Sequence, residues 1–183
     1  MTTASPGIHP GPGSQPGVPA GGWRVNPARS HASFTARVAG RPVRGRLPLT
    51  GGVLIAQLIE DSAARLVAST SALSTGSTVL DRLLAGPAFL DADVFPEISF
   101  RSELLVWVPT GWRAVGQLEV KGRDRALACQ LNVGPPSEPP DGPPRMTISS
   151  RWVLDSSWIT GQRIPALSRR VAMMCSVALE PDR

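Results

Sequence analysis

Residues 71–102 read SALSTGSTVLDRLLAGPAFLDADVFPEISFRS, and the rest of the chain is understood from this stretch. Its first half carries helix signals in the right order: Ser77 and Thr78 can cap, Asp81 follows Thr78 by three residues, and Leu80, Leu83 and Leu84 share one face. Gly86 and Pro87 end the helix, the first as a permissive residue past the last turn, the second because it lacks the donor another turn needs. An apolar knot follows, with Phe89, Leu90, Val94 and Phe95 crowded around Asp91 and Asp93, and Pro96 opens an extended run from Glu97 to Val108. A helix, a compact knot and a long strand in succession make a plug set beside a sheet.

Working outward, apolar residues alternate with polar ones, the period of half-buried strands. Upstream, Phe34, Ala36 and Val38 oppose Ser33, Thr35 and Arg37; Gly40-Arg41-Pro42 reads as a turn, and Val43, Gly45, Leu47 and Leu49 lead to a second turn at Thr50-Gly51-Gly52. Val53 to Ile59 and Ala63 to Ser69 read as a further pair; Leu54 to Ile59 also fits a helix by periodicity, but the close flanking turns favour strand. Downstream come Trp112 to Val120, Arg125 to Val133, Met146 to Leu154 and Val171 to Leu179. Gly134 to Pro144 holds six prolines and reads as a loop. Connections this short cannot hold crossover helices, so the expected fold is all-β: an eight-stranded antiparallel barrel with one short helix. Residues Met1 to Gly22 are mostly Pro, Gly, Ser, Thr and Ala, a composition expected to stay disordered, so the single barrel domain is placed at 23–183.

The chain is long enough for one domain with a real core, and it has no apolar run near the roughly eighteen residues a membrane helix requires. Its first residues lack the charged start and apolar centre of a secretory signal, so a cytoplasmic location is expected. The formal net charge is +5, carried almost wholly by Arg, with Lys121 the only lysine. That balance permits phosphate head groups, membrane surfaces or nucleic acid as partners without choosing among them. Cys129 and Cys175 fall on apolar strand faces with no His nearby, which predicts buried free thiols rather than a zinc site or a disulfide framework.

Enzymatic readings find little support. Ser30 and His31 are neighbours and point to opposite faces of a strand; His9 lies in the tail; Asp81, Asp91, Asp93 and Asp155 sit where caps and turns favour Asp. No enzyme activity, metal or cofactor is expected. Nucleic-acid binding is the alternative class, since Trp107, Trp112 and Trp158 could stack bases, but no nucleic-acid motif accompanies them.

Thr75, Gly76, Asp81, Leu84, Phe89, Asp91, Phe95, Pro96, Glu97, Ile98, Phe100 and Ser102 together resemble, without a gap, the signature of the YceI-like family, lipocalin-like barrels that bind polyisoprenoid lipids. The opening Trp23, Val25, Ser30 and Phe34 is similar to that family's first strand, with Asn26 where Asp is common. Leu118, Val120, Gly122 and Leu127 resemble its second motif. Its third is eroded: Leu154-Asp155-Ser156-Ser157-Trp158-Ile159 keeps an Asp and an aromatic but lacks the Arg and Gly. Leu80 and Leu83 stand where relatives usually carry Arg and His. The resemblance covers about residues 23 to 180. It implies binding, storage or transport of an isoprenoid-type lipid, a polyprenyl chain or a quinone tail, inside the barrel. The implied ligand-binding residues are Phe34, Val38, Phe89, Phe95, Phe100, Leu118, Trp152, Met173 and Cys175. Arg37 and Arg82 are the candidates for a head group, beside Arg41, Arg44 and Arg46. The competing expectation is a packed core without a cavity, serving a nucleic-acid or protein partner; a homodimer is left open.

Overall fold

The computed structural model describes residues 18–56, 62–140, 142–161 and 163–182. Its elements are β1 (Gly21–Val25), a 3-10 turn (Pro27–Arg29), β2 (His31–Val38), β3 (Arg41–Ala56), β4 (Ala63–Ser69), α1 (Thr78–Ala85), β5 (Glu97–Val108), β6 (Gly111–Val120), β7 (Arg123–Val133), β8 (Met146–Asp155), α2 (Ser156–Thr160) and β9 (Arg170–Pro181). The strands form one antiparallel sheet in the order β3-β2-β9-β8-β7-β6-β5-β4, and β4 returns to β3 to close the ring. Nine strands make eight staves because β1 and β2 share one position end to end. β1 pairs with the far ends of β3 and β9 (Trp23↔Leu54, Val25↔Leu179), and β2 with their near ends (Phe34↔Gly45, Phe34↔Met173).

Alternation drives this closure. Along β6, Trp112, Ala114, Leu118 and Val120 are buried while Arg113 and Glu119 are exposed, and each large apolar side chain so buried contributes roughly 1.5–3 kcal/mol. Trp23, Val25, Leu54, Met146 and Leu179 fill one end of the barrel. The other end, toward which the β2–β3 and β6–β7 turns point, also carries α1 with its knot and α2, and is called here the helical end.

The expected turn at Thr50-Gly51-Gly52 is instead the middle of β3. The pairing with β4 shifts between Leu49 and Gly51, a bulge that bends the strand without reversing it. A Cβ on Gly52 would collide with the Arg65 carbonyl, so this glycine serves close strand approach rather than reversal. Val53, Leu54 and Ile55 do pair with β4, and residues 57–59 of that expected strand lie outside the described ones. At the amino end, residues 1–17 of the expected tail also lie outside them, while Gly21 and Gly22 already belong to β1. Val18 packs against the core and the Trp23 indole donates to the Pro19 carbonyl, because β1 needs a partner for its buried ring. The five-residue α2 was not expected; Asp155 caps it through the Ser157 amide.

α1 forms where the signals place it, with the Ser77 hydroxyl accepting from the Leu80 amide. Asp81 does not complete a capping box. Its carboxylate accepts from both the amide and the hydroxyl of Thr75, each at 2.6 Å, and so ties the helix to the turn before it. Gly86 ends the helix at φ −70°, a value open to any residue. The knot folds back along α1 through Leu90 N to Leu84 O and Ala92 N to Ala85 O, and Lys121 pins it to the β6–β7 turn through the Pro87 carbonyl.

One junction of the ring is weak. β6 and β7 register over nine residue pairs and β8 and β9 over ten, but β7 and β8 over three, from Leu131↔Ser150 to Val133↔Ile148. Toward the helical end the two strands diverge, and α2 follows directly from β8 beside the gap.

Candidate functional site

Beneath the helical end lies a cavity of about 180 Å³. Phe34, Phe89, Phe100, Leu118, Trp152, Met173 and Cys175, all named from sequence, line it. Val38 and Phe95 do not. Val38 is the last residue of β2, beyond the cavity wall, and bridges to Leu167, which supplies the lining there. The Phe95 ring packs over Gly122 in the β6–β7 turn, where a Cβ would stand 2.9 Å from it. The head-group candidates lie outside the cavity. Arg37 is exposed and donates to the Gly40 carbonyl, and Arg82 is exposed on α1; neither borders the cavity. No charged side chain does so among the described residues. Leu80 and Leu83 stay outside as well, and α1 reaches the cavity through Leu84.

Two kinds of lining residue escaped the sequence reading. Ala32, Ala36 and Ala68 share the inward parity of their strands; Ala36 was read on the apolar face, but none of the three is large enough to stand out as a ligand contact. Leu84, Leu90, Ile159 and Leu167 come from chain folded across the barrel end, for which no local period exists. Gly45 has its own role here: a Cβ on it would overlap the Phe34 ring of its cross-strand partner, so the bare glycine holds that ring flat against the wall.

The wall is electrically quiet. Burial, with a smaller contribution from Cys129, pushes the Cys175 thiol up to about 12, and burial also raises Cys129, so both stay neutral near pH 7. Ser150, itself buried, hydrogen-bonds Cys129. The Trp152 indole N–H is buried without a hydrogen-bond partner. The cavity is partly open to the outside, and an apolar wall of this kind suits hydrocarbon.

Of the groups weighed for catalysis, Ser30, Asp81 and Asp155 have structural partners. Ser30 exchanges hydrogen bonds with the Ala178 backbone, and Asp81 ties α1 to Thr75. Asp155 caps α2 and meets Arg169 at 2.8 Å. The Ser157 hydroxyl, then Arg169, then the Ser157 amide hold the Asp155 carboxyl far below the usual carboxylate range. A depressed folded-state value means that this stabilisation is present above the unfolded value, near 4, and is lost as pH falls toward the folded one. Melting scans should therefore show stability falling below about pH 4, and Asp155→Asn should flatten that slope; an unchanged slope would show that α2 is held otherwise.

The YceI-like domain model matches residues 23–156. Among solved structures, BcnA of Burkholderia cenocepacia superposes with a TM-score of 0.71 at 16% identity, covering 84% of this chain and 98% of that one. A polyisoprenoid binding domain from Saccharophagus degradans, implicated in plant cell wall breakdown, gives 0.63 at 11% identity, with 87% and 98% covered. The Campylobacter jejuni YCEI protein gives 0.63 at 14%, with 77% and 86% covered. No curated protein matches the sequence. These likenesses establish a shared barrel, and the matched model runs from the first core tryptophan to the start of α2: the chain belongs to the YceI-like family.

Proposed function

We propose that the barrel binds an isoprenoid-type lipid, a polyprenyl chain or the tail of a quinone, and stores or carries it without transforming it. The observation that carries this reading is the apolar cavity under the helical end, which no charged group among the described residues borders. A dry apolar cavity of about 150 Å³ holds a benzene-sized guest, so the space here suits about one to two prenyl units. At roughly 0.8 kcal/mol per buried methylene, two units supply on the order of 8 kcal/mol before ordering costs, enough to bind without a charged anchor. The cytoplasm is part of the proposal, since two free buried thiols suit a reducing compartment.

Mass spectrometry of an organic extract from protein purified without detergent, run beside native mass spectrometry, tests it. The expected result is one isoprenoid per chain, or uptake of added farnesol by an empty chain. A protein that is empty and refuses prenyl alcohols would leave the packed-core reading, with its nucleic-acid or protein partner.

A further inference from the structure

The helix over the cavity is apolar on two sides. Leu84 lines the cavity, while Val79 and Leu83, one turn apart on another face, are 74% and 48% exposed. Val94, on the knot that hydrogen-bonds back to the end of α1, is 63% exposed. Single exposed apolar residues are ordinary. A helix apolar on both sides is normally buried between two apolar layers, and this molecule supplies one of them. We infer that the other is an anionic lipid bilayer, on which the protein docks by its helical end, seating Val79, Leu83 and Val94 among the head groups directly above the cavity. The inference rests on the lipid-binding reading, since a bilayer is where an isoprenoid chain resides.

Charge supports this choice of partner. Arg37 and Arg41 at the β2–β3 turn, Lys121, Arg123 and Arg125 at the β6–β7 turn, and Arg163 after α2 form a basic rim around the same end. Asp91 and Asp93 in the knot, Glu97 at the start of β5, Glu119 near the end of β6 and Asp124 in the rim oppose it, as does Asp81, whose bonds to Thr75 leave its charge in place; Asp155 is paired with Arg169, and Arg82 on α1 and Arg170 at the start of β9 add to the cations. Cations outnumber carboxylates across the face, and those on the turns stand where head-group phosphates would meet a seated cover. Trp158 lies in this rim with the Arg125 guanidinium 5.5 Å from its ring centre, an amphipathic aromatic beside a cation, as at bilayer interfaces. A second copy facing this patch would bring the basic rim against itself, whereas an anionic surface complements it.

Flotation of the full chain with vesicles tests the inference. Wild type should float with mixed phosphatidylglycerol and phosphatidylcholine vesicles at low salt, and less with phosphatidylcholine alone or at high salt. Val79→Ser, Leu83→Ser and Val94→Ser combined should cut the floated fraction about fivefold or more, with an unchanged melting temperature. Arg41→Glu with Arg163→Glu should weaken flotation on the anionic vesicles. Absence of flotation at low salt, flotation of the triple variant equal to wild type, or a wild-type dimer that the triple substitution splits would each overturn the inference, the last by showing that a second copy covers the patch. Farnesol uptake, read in parallel by native mass spectrometry, should be equal in wild type and the triple variant; its failure in both would remove the lipid reading, while flotation still decides docking.

Discussion

Ala36→Phe should leave the barrel folded and lower its affinity for farnesol at least about a hundredfold, a loss of about 2.7 kcal/mol. Ala36 is a buried residue of β2 whose side chain borders the cavity. A phenyl ring there occupies space that is otherwise empty, instead of displacing packed neighbours. Each prenyl methylene denied burial forfeits about 0.8 kcal/mol, so excluding a few carbons suffices. Filling empty space also relieves the stability that a void costs, about 24 cal/mol per Å³ in the best-studied cavity series. The melting temperature should accordingly hold or rise while uptake in native mass spectrometry falls. A stable variant that binds as wild type does would place the ligand somewhere other than this cavity.

The second large effect is one of backbone. Gly116, in the middle of β6, faces the point where β5 bulges between Ser102 and Leu104. A Cβ on it would overlap the Arg101 carbonyl and stand 2.7 Å from the Ser102 Cα. Backbone cannot swing aside as a side-chain tip can, so Gly116→Ala should cost about 3 kcal/mol and lower the melting temperature by roughly 10 °C. Gly51→Ala is the matched reference: its Cβ meets nothing within 4 Å, and it should change stability by less than about 1 kcal/mol. Equal melting temperatures for the two variants would mean that β5 and β6 are not held as close as the bulge indicates.

How much of this was legible depended on whether the deciding contact is local. β5 to β9 lie within two residues of where alternation puts them, because one buried face fixes the period of a strand. The path of β3 through Gly51 and Gly52 was not legible, since a glycine pair signals a turn and a bulge equally, and only the Arg65 carbonyl of the next strand distinguishes them. Phe34, Phe100, Leu118 and Met173 reach the cavity as inward members of their strands. Val38 has the same parity, but the cavity stops short of it, a limit set by Leu167 from a distant loop. Arg37 and Arg82, named for a head group and not for the wall, stand outside the cavity, and a cation's sequence neighbours do not tell which way the barrel end is covered. The Thr75-Gly76 and Asp81 signature had a plain local meaning, a carboxylate tying a turn to the helix that follows.

The short junction between β7 and β8 changes what kind of object the barrel is. A ring whose staves were all equally laced would open only by wholesale unfolding. Here three registered pairs, the Gly134–Thr147 backbone bond past them, the Ser150–Cys129 hydrogen bond and the Arg125–Trp158 contact join strands that are each bound to their other neighbour along nearly their whole length. The molecule is mechanically a curled sheet with a clasp, and its breathing is concentrated at that clasp, where the least is undone. Leu127 and Cys129 on one lip and Trp152 and Leu154 on the other all border the cavity. Opening along this seam would therefore widen the cavity sideways, and if a lipid chain occupies it, the length accepted would depend on how far the seam yields as well as on the resting volume.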